Sequence, residues 1–310
     1  MRVVSLLFHD VFVSDPAESG FVSEAAHRYK LSVADFDAQL AHIAQLRSDA
    51  PLAAGVLSGP VGNVPPYTIT FDDGGVSYHT LIADRLDARG WRGYCFVSTG
   101  LIGRPGFLDA RQLRELDARG HVIGSHSASH PARFSTLPFD AMVREWRDSR
   151  ARLEDVLGHA VQVASVPGGY FSPTVARAAD EAGVTMLFTS EPVTTVVAGR
   201  PALLGRFTIR RGDAPDAAMR FLAAAPWARS SAWLSWNAKG LAKPLLGPAY
   251  SQVADWVCAF RRWPPAAAAA APGRVTAAQS APGQTRQLAT PGRARIDGSE
   301  HLVGAEAPPR

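Results

Sequence analysis

The chain is poor in cysteine, with two residues in 310 and no Cys-x-x-Cys pair. That excludes a disulfide framework and a thiolate zinc site, and it fits a reducing compartment. Cys95 lies in the apolar run Tyr94-Cys95-Phe96-Val97 and is expected to be a small buried hydrophobe. An excess of one charge is also missing: 32 Lys and Arg against 28 Asp and Glu leave +4, with both signs mixed along the chain. No basic block is dense enough for a nucleic-acid surface. Long apolar runs are absent as well. No window approaches the ~18 residues of a membrane span. The apolar opening is broken by His9 and Asp10, too early for an export signal. The expectation is a cytoplasmic chain without a transmembrane segment, or an exported one if its true start lies upstream.

Aromatic residues disappear after Trp263, where Pro, Ala, Gly, Thr, Gln and Arg take over. Such a segment cannot bury enough surface to offset its ordering entropy, so 264–310 is expected to be a disordered tail. Residues 212–263 hold five of the seven tryptophans without a clear period and read as an irregular extension. Residues 1–211 read as the folded domain. There, short apolar strands alternate with amphipathic segments. Val3–Phe8, Tyr67–Phe71, Gly93–Val97, His121–Gly124, Val161–Val166 and Thr185–Thr189 are the expected strands, with Phe207–Arg210 as a late one. Val33–Leu46, Tyr78–Ala88, Asp109–Ala118, Phe139–Leu157 and Pro173–Ala182 are the expected helices, several closed by glycine. Strand then helix, about six times over, implies an α/β fold with a parallel sheet and outer helices, closed as a barrel or left open.

Polar residues gather at the expected strand ends, the functional edge of such sheets. Asp72-Asp73-Gly74-Gly75 follows one strand. A strand splays neighbouring side chains to opposite faces, but glycines let the backbone turn, so both carboxylates can reach one site. One can then ligate a cation while the other stays free as a base; the alternative is a solvated Asp-Gly turn. His126 and His130 are four residues apart, a spacing that puts both imidazoles on one side of a helical turn. With Asp73 they make a three-ligand set that keeps a coordination position open. Otherwise they are surface histidines. Pro167-Gly168-Gly169-Tyr170 reads either as an oxyanion-binding wall through Gly169 and Tyr170 or as an ordinary loop. His9 opens onto the same face or packs in the core.

Taken together and in this order, these segments resemble the polysaccharide deacetylase family, carbohydrate esterase family 4. The resemblance runs from about Leu6 to Arg211, through Thr70-Phe71-Asp72-Asp73-Gly74 and His126-Ser127-Ala128-Ser129-His130, with Val166-Pro167-Gly168-Gly169 as a partial third motif. It implies a deformed (β/α) barrel with fewer than eight complete repeats. It implies a divalent metal, commonly zinc, on Asp73, His126 and His130, with Asp72 as the base and Ser127 orienting its neighbours. It implies an N-acetylated carbohydrate as substrate. Two departures stand out. The arginine that opens the third motif is replaced by Ser165, a gap that Arg206 or Arg210 can fill. The late histidine that serves as acid is missing, since no histidine lies between His159 and His301, so His9 or an Asp72 shuttle is the expected substitute. The alternatives are a non-catalytic carbohydrate-binding relative and an amidase acting on another C–N amide.

Overall fold

A computed structural model describes residues 1–246 apart from 54, 56, 58–63 and 224. The tail expected at 264–310 lies outside the described residues. The described residues form ten strands: β1 (Val4–Phe8), β2 (Val11–Phe12), β3 (Leu31–Ser32), β4 (Tyr67–Phe71), β5 (Tyr94–Val97), β6 (Val122–Ser125), β7 (Val163–Ser165), β8 (Met186–Phe188), β9 (Ala202–Leu204) and β10 (Arg206–Thr208). The helices are α1 (Glu24–His27), α2 (Val33–Leu46), α3 (Ala83–Asp87), α4 (Ala110–Ala118), α5 (Phe139–Leu157), α6 (Pro173–Glu181), α7 (Ala217–Leu222) and α8 (Pro226–Leu246). Eight strands form one parallel sheet in the order β10-β1-β4-β5-β6-β7-β8-β9. Its two edge strands, β9 and β10, are consecutive in the chain and separated only by Gly205, so the sheet curls into a nearly closed, deformed (β/α) barrel. A Cβ at Gly205 would stand 2.3 Å from the Glu191 carbonyl oxygen, which is why this seam needs glycine.

Strand alternation sorts the core into two layers. Tyr67, Ile69 and Phe71 of β4 face outward onto Phe36, Leu40, Ile82 and Leu86 of the helices. Tyr94, Phe96, Phe188 and Leu204 face inward and fill the lumen. The helices begin where the sequence supplies caps. Ser32 accepts from Asp35 N at 3.1 Å, and Asp109 and Gln112 close a capping box on α4. Tyr78–Ala88 differs from the single helix expected. Tyr78–Ile82 is a π-helical turn that runs into α3, a feature that accommodates an extra residue without breaking the helix. The extension read as irregular also differs as far as it is described: 212–246 carry α7 and α8, and 247–263 lie outside the described residues. Ala228 on α8 is buried and Ala232 half-buried, so the residues that seat this helix are small and leave little hydrophobic signal.

Candidate active site

The carboxyl end of β4 is held by a turn that starts one residue earlier than the glycines suggest. Asp73 has φ 79° and Gly74 φ 80°, both left-handed. Left-handed backbone is costly for a residue with a Cβ, and here it rotates Asp73 so that both carboxylates face the barrel axis. Gly75 serves for room: a Cβ there would lie 1.8 Å from Asp10 Oδ1. Asp10 is buried and accepts from Ser19 Oγ at 2.6 Å and Ser77 Oγ at 2.7 Å, tying β1, the following loop and this turn together. Burial outweighs those hydrogen bonds and pushes the Asp10 carboxyl up to about 6.

His126 and His130 do not sit on a helical turn. They flank a loop after β6 in which Ser127 (φ 65°) and His130 (φ 54°) are left-handed. With Asp73 these are the non-glycine residues of positive φ among the described residues, and all three belong to one site. Other segments hold the loop in this shape. Gly100 N donates to Ala128 O at 2.7 Å. Glu145 on α5 accepts from Ala128 N, Ser129 N and Ser129 Oγ at 3.0, 2.8 and 2.6 Å. Ser127 Oγ accepts from His130 N at 3.1 Å, so Ser127 orients the second imidazole through the backbone. The two rings are 5.1 Å apart, and Phe21 packs on His130 at 4.8 Å. Buried Lys30 fixes the loop that carries Phe21 by donating to the carbonyls of Pro16, Ser19 and Phe21.

Asp73 Oδ1 lies 3.5 Å from His126 Nε2 and 3.5 Å from His130 Nε2. One ligand atom from each of the three lies within 4.8 Å of the other two. Burial pushes the Asp73 carboxyl up, but the two imidazoles outweigh it and hold it well below the usual range. Burial lowers His130 and Asp73 raises it, with a net rise. The neighbouring Asp72 is a different kind of group. Arg206, fully buried, grips it with two bonds, Nη1 to Oδ1 at 2.7 Å and Nη2 to Oδ2 at 2.8 Å. The guanidinium lies over the rings of Phe96 and Phe188 in the lumen and donates from Nε to Thr189 O. Burial raises Asp72, but Arg206 and His126 outweigh it, and the carboxyl stays ionised below its ordinary value.

Ser165 links the two carboxylate environments. Its hydroxyl donates to Asp72 Oδ1 at 3.0 Å and meets His126 Nδ1 at 2.6 Å. A carboxylate can only accept, so the hydroxyl proton goes to Asp72 and the hydroxyl oxygen accepts from His126 Nδ1–H. In the neutral ring this leaves the Nε2 lone pair facing Asp73 Oδ1. Two acceptors at 3.5 Å repel unless a cation, or a proton on Nε2, lies between them. This donor set, one carboxylate oxygen and two imidazole nitrogens with one ring oriented from behind, fits a divalent metal.

The remaining predicted residues fall as follows. His9 is packed against Tyr29, ring centres 4.8 Å apart, and feels the charges of Asp73 and Asp72. Its Nδ1 is buried with no hydrogen-bond partner among the described residues. Burial outweighs the two carboxylates and holds its pKa below the ordinary value. Gly169 N and Tyr170 N, expected to face substrate, instead close their own turn by donating to Val166 O at 3.3 Å and Pro167 O at 3.5 Å. Gly168 (φ 61°) is the residue of that loop whose N–H has no acceptor among the described residues. His159 is exposed and pairs with Asp117 at 3.0 Å, remote in role from this cluster. Of the two arginines offered for the missing one, Arg206 makes the contact; Arg210 lies over Tyr29. Glu145, Lys30 and Asp10 carry no motif, and the sequence offered no signal for them.

The polysaccharide deacetylase family model matches residues 62–187, the span that carries Asp72, Asp73, His126, His130 and Gly168. Over this span, which is less than half of the chain, the sequence is similar to the polysaccharide deacetylase family. Strand β1 with His9, and β10 with Arg206, lie outside that span. The chain is 28% identical over 145 residues to a gellan lyase of a Bacillus species, covering 47% of this chain and 5% of that one. It is 27% identical over 124 residues to the Bacillus subtilis (strain 168) protein YxkH, provisionally named a polysaccharide deacetylase, covering 40% and 44%. The chain thus spans under half the length of these curated relatives. Among solved structures, the Streptococcus pyogenes deacetylase PplD, in complex with acetate, matches with a TM-score of 0.62 at 19% identity, covering 72% of this chain and 98% of that one. IcaB from Ammonifex degensii matches with 0.58 at 24%, covering 74% and 97%. These likenesses establish a shared barrel.

Proposed function

We propose that this chain is a metal-dependent hydrolase that removes N-acetyl groups from an amino-sugar glycan. The observation that carries the reading is the convergence of Asp73, His126 and His130 beside an ionised Asp72 that is held separately by Arg206. Asp73, His126 and His130 would hold the cation. Zinc is a metal that one carboxylate and two imidazoles hold with a coordination position left open. When bound there it supplies a Lewis acid that polarises a carbonyl oxygen and makes water nucleophilic near neutral pH.

The chain's own residues do the rest. Asp72 is fixed at both oxygens by Arg206 and at Oδ1 by Ser165, so Oδ2, which is 3.9 Å from His126 Nε2, is the atom presented to the site. It takes the proton from the attacking water, a role that requires it ionised beforehand. Gly168 N–H is the loop's available donor for the carbonyl oxygen as it gains charge, a contact worth about 3 kcal/mol in such sites. The proton that Asp72 takes from water must reach the departing amine, and His9, a buried imidazole that feels both carboxylates, would accept it from Asp72 and hand it on. Phe21 and Phe107, ring centres 5.3 Å apart, shield the His130 side from solvent.

Acetate release from N-acetylglucosamine oligomers, assayed with and without a chelator, tests the reading. Chelator-sensitive acetate is the expected result. Metal binding without acetate would point to a non-catalytic carbohydrate-binding relative. Turnover confined to other amides would point to an amidase.

A further inference from the structure

The side of α8 turned away from the barrel is apolar and aromatic. Among the described residues ten large apolar side chains are exposed, and three of them fall within eight residues of this helix: Trp227 (61%), Trp233 (47%) and Leu234 (61%). Trp227 and Leu234 are seven residues apart, about two helical turns, so they share one stripe with Trp233 beside it. Ala228 is buried and Ala232 half-buried, and they seat the other side of the helix on the barrel. A cluster of this kind, unlike scattered exposed apolar residues, marks an interaction surface.

Charge is distributed in the same way. Residues 217–263 hold six Arg and Lys against one acid, Asp255, a balance of +5. Residues 1–216 hold 21 against 24, a balance of −3. Two of the chain's three lysines, Lys239 and Lys243, belong to α8, and α8 contains no acid. Arg229 on α8 donates to Phe221 O and lies over the Phe207 ring, with no carboxylate partner among the described residues. Burial, and after it the nearby charge of Arg2, lowers the Arg229 pKa. Arg220 lies 5.3 Å from the centre of the Trp227 ring and pairs with Asp216 at 2.6 Å.

This combination selects among the partners that could cover the face. A second copy of the chain in a two-fold contact would set one α8 against another and oppose cation to cation, with no acid on either helix to pair them. Residues 247–263, folded back, would bring Arg261 and Arg262 with a single acid and meet the same repulsion. A bilayer surface containing anionic lipid satisfies both features. Indoles settle at headgroup level, leucine reaches the acyl boundary, and Lys and Arg meet the lipid phosphates. No helix among the described residues is long and apolar enough to cross a membrane, so α8 would lie along the surface. The negative balance of 1–216 is repelled by the same surface, which orients the chain with α8 toward the lipid.

We propose that α8 is an interfacial helix that docks this chain on an anionic lipid bilayer through Trp227, Trp233 and Leu234. Docking does not depend on which reaction the site performs. It does place that site: Trp236, on the same helix, packs on the Pro167–Tyr170 loop, where a Cβ on Gly169 would lie 3.1 Å from its ring.

Co-sedimentation of the full chain with lipid vesicles tests this. Vesicles of phosphatidylcholine with about 30% phosphatidylglycerol should bind at least about tenfold more tightly than phosphatidylcholine alone. Raising NaCl from about 0.1 to about 0.5 M should remove most of that gain. Trp233→Ser with Leu234→Ser should weaken binding to the mixed vesicles by roughly tenfold or more. Both positions are exposed, so the melting temperature should stay near that of the wild type. Lys239→Gln with Lys243→Gln should weaken the same binding by roughly 10–30-fold, about fivefold per lysine. Equal binding to both kinds of vesicle overturns the proposal. Binding to neither, the result expected if 247–263 cover the face, overturns it too. So does vesicle binding that survives both pairs of substitutions, or a wild-type dimer in light scattering that Trp233→Ser with Leu234→Ser splits, since a second copy then occupies the face.

Discussion

Replacing Arg206 by Met removes the bidentate partner of a buried carboxylate and leaves it the Ser165 hydroxyl and the more distant His126. Arg206 is fully buried, and Asp72 receives both of its terminal nitrogens at 2.7 and 2.8 Å. The mutation strands a charge in the lumen above Phe96 and Phe188 and also empties the acceptors Thr189 O and Thr70 Oγ1. Breaking one side of a buried ion pair costs about 3–5 kcal/mol. At roughly 2–4 °C per kcal/mol for a domain of this size, the melting temperature should fall by roughly 6–20 °C. Adding Asp72→Asn in the same chain should recover a large part of that loss, because the stranded charge is then gone; a double-mutant cycle isolates the pair. The pH dependence carries a definite sign. The folded Asp72 carboxyl lies below its unfolded value. Its contribution is therefore fully present above the unfolded pKa near 4 and is lost as the pH falls through the folded one. Urea denaturation at pH 7 and pH 3.5 measures both effects. An Arg206→Met chain within 1 kcal/mol of wild type at pH 7, or one whose loss is not relieved by Asp72→Asn, would refute this account of the lumen.

Asp10 should behave in the opposite sense. Its carboxyl is raised from 3.8 to about 6 by burial, so the folded metal-free chain binds a proton that the unfolded chain has released. Stability from this group rises as the pH falls from above 6 toward 4, by on the order of 3 kcal/mol, and Asp10→Asn should flatten that window in pH-resolved melts. Glu145→Ala frees the loop between His126 and His130 and should weaken zinc affinity by roughly 10–100-fold in calorimetric titration, with the melting temperature of the metal-free chain little changed. His9→Gln should lower turnover by about 10²-fold while zinc affinity is retained; normal turnover would take His9 out of the proton path.

The parts of this site that were legible in the sequence share one property: they sit within a few residues of a strand end. Asp72, Asp73, His126 and His130 qualify, and local polarity after an apolar run marks them. Their geometry was not legible. The i, i+4 spacing of the histidines suggested a helical turn, whereas the loop is held open by Glu145 and by left-handed backbone at Ser127 and His130, residue types that do not announce positive φ. Arg206 sits 134 residues from Asp72, and the sequence alone left it level with Arg210. Strand alternation puts residues four apart on one face and does not decide between them; the strand bounds do, because Arg206 opens β10 (Arg206–Thr208) inside the lumen while Arg210 lies beyond its end, over Tyr29. The N–H groups of Gly169 and Tyr170, expected to face an oxyanion, close a turn within their own loop, a local bond that the sequence does not signal. Helices α7 and α8 were hidden by their small buried residues, which give a weak apolar period.

The central claim is that Asp73, His126 and His130 bind one cation while Asp72 beside them stays unligated. Anomalous diffraction at the zinc edge, from crystals of the chain soaked in zinc, addresses it directly. The account predicts a single strong peak at ~2.0–2.2 Å from a carboxylate oxygen of Asp73 and from both Nε2 atoms, with Asp72 still paired to Arg206. A peak ligated by Asp72, or no peak among these three residues, would contradict it.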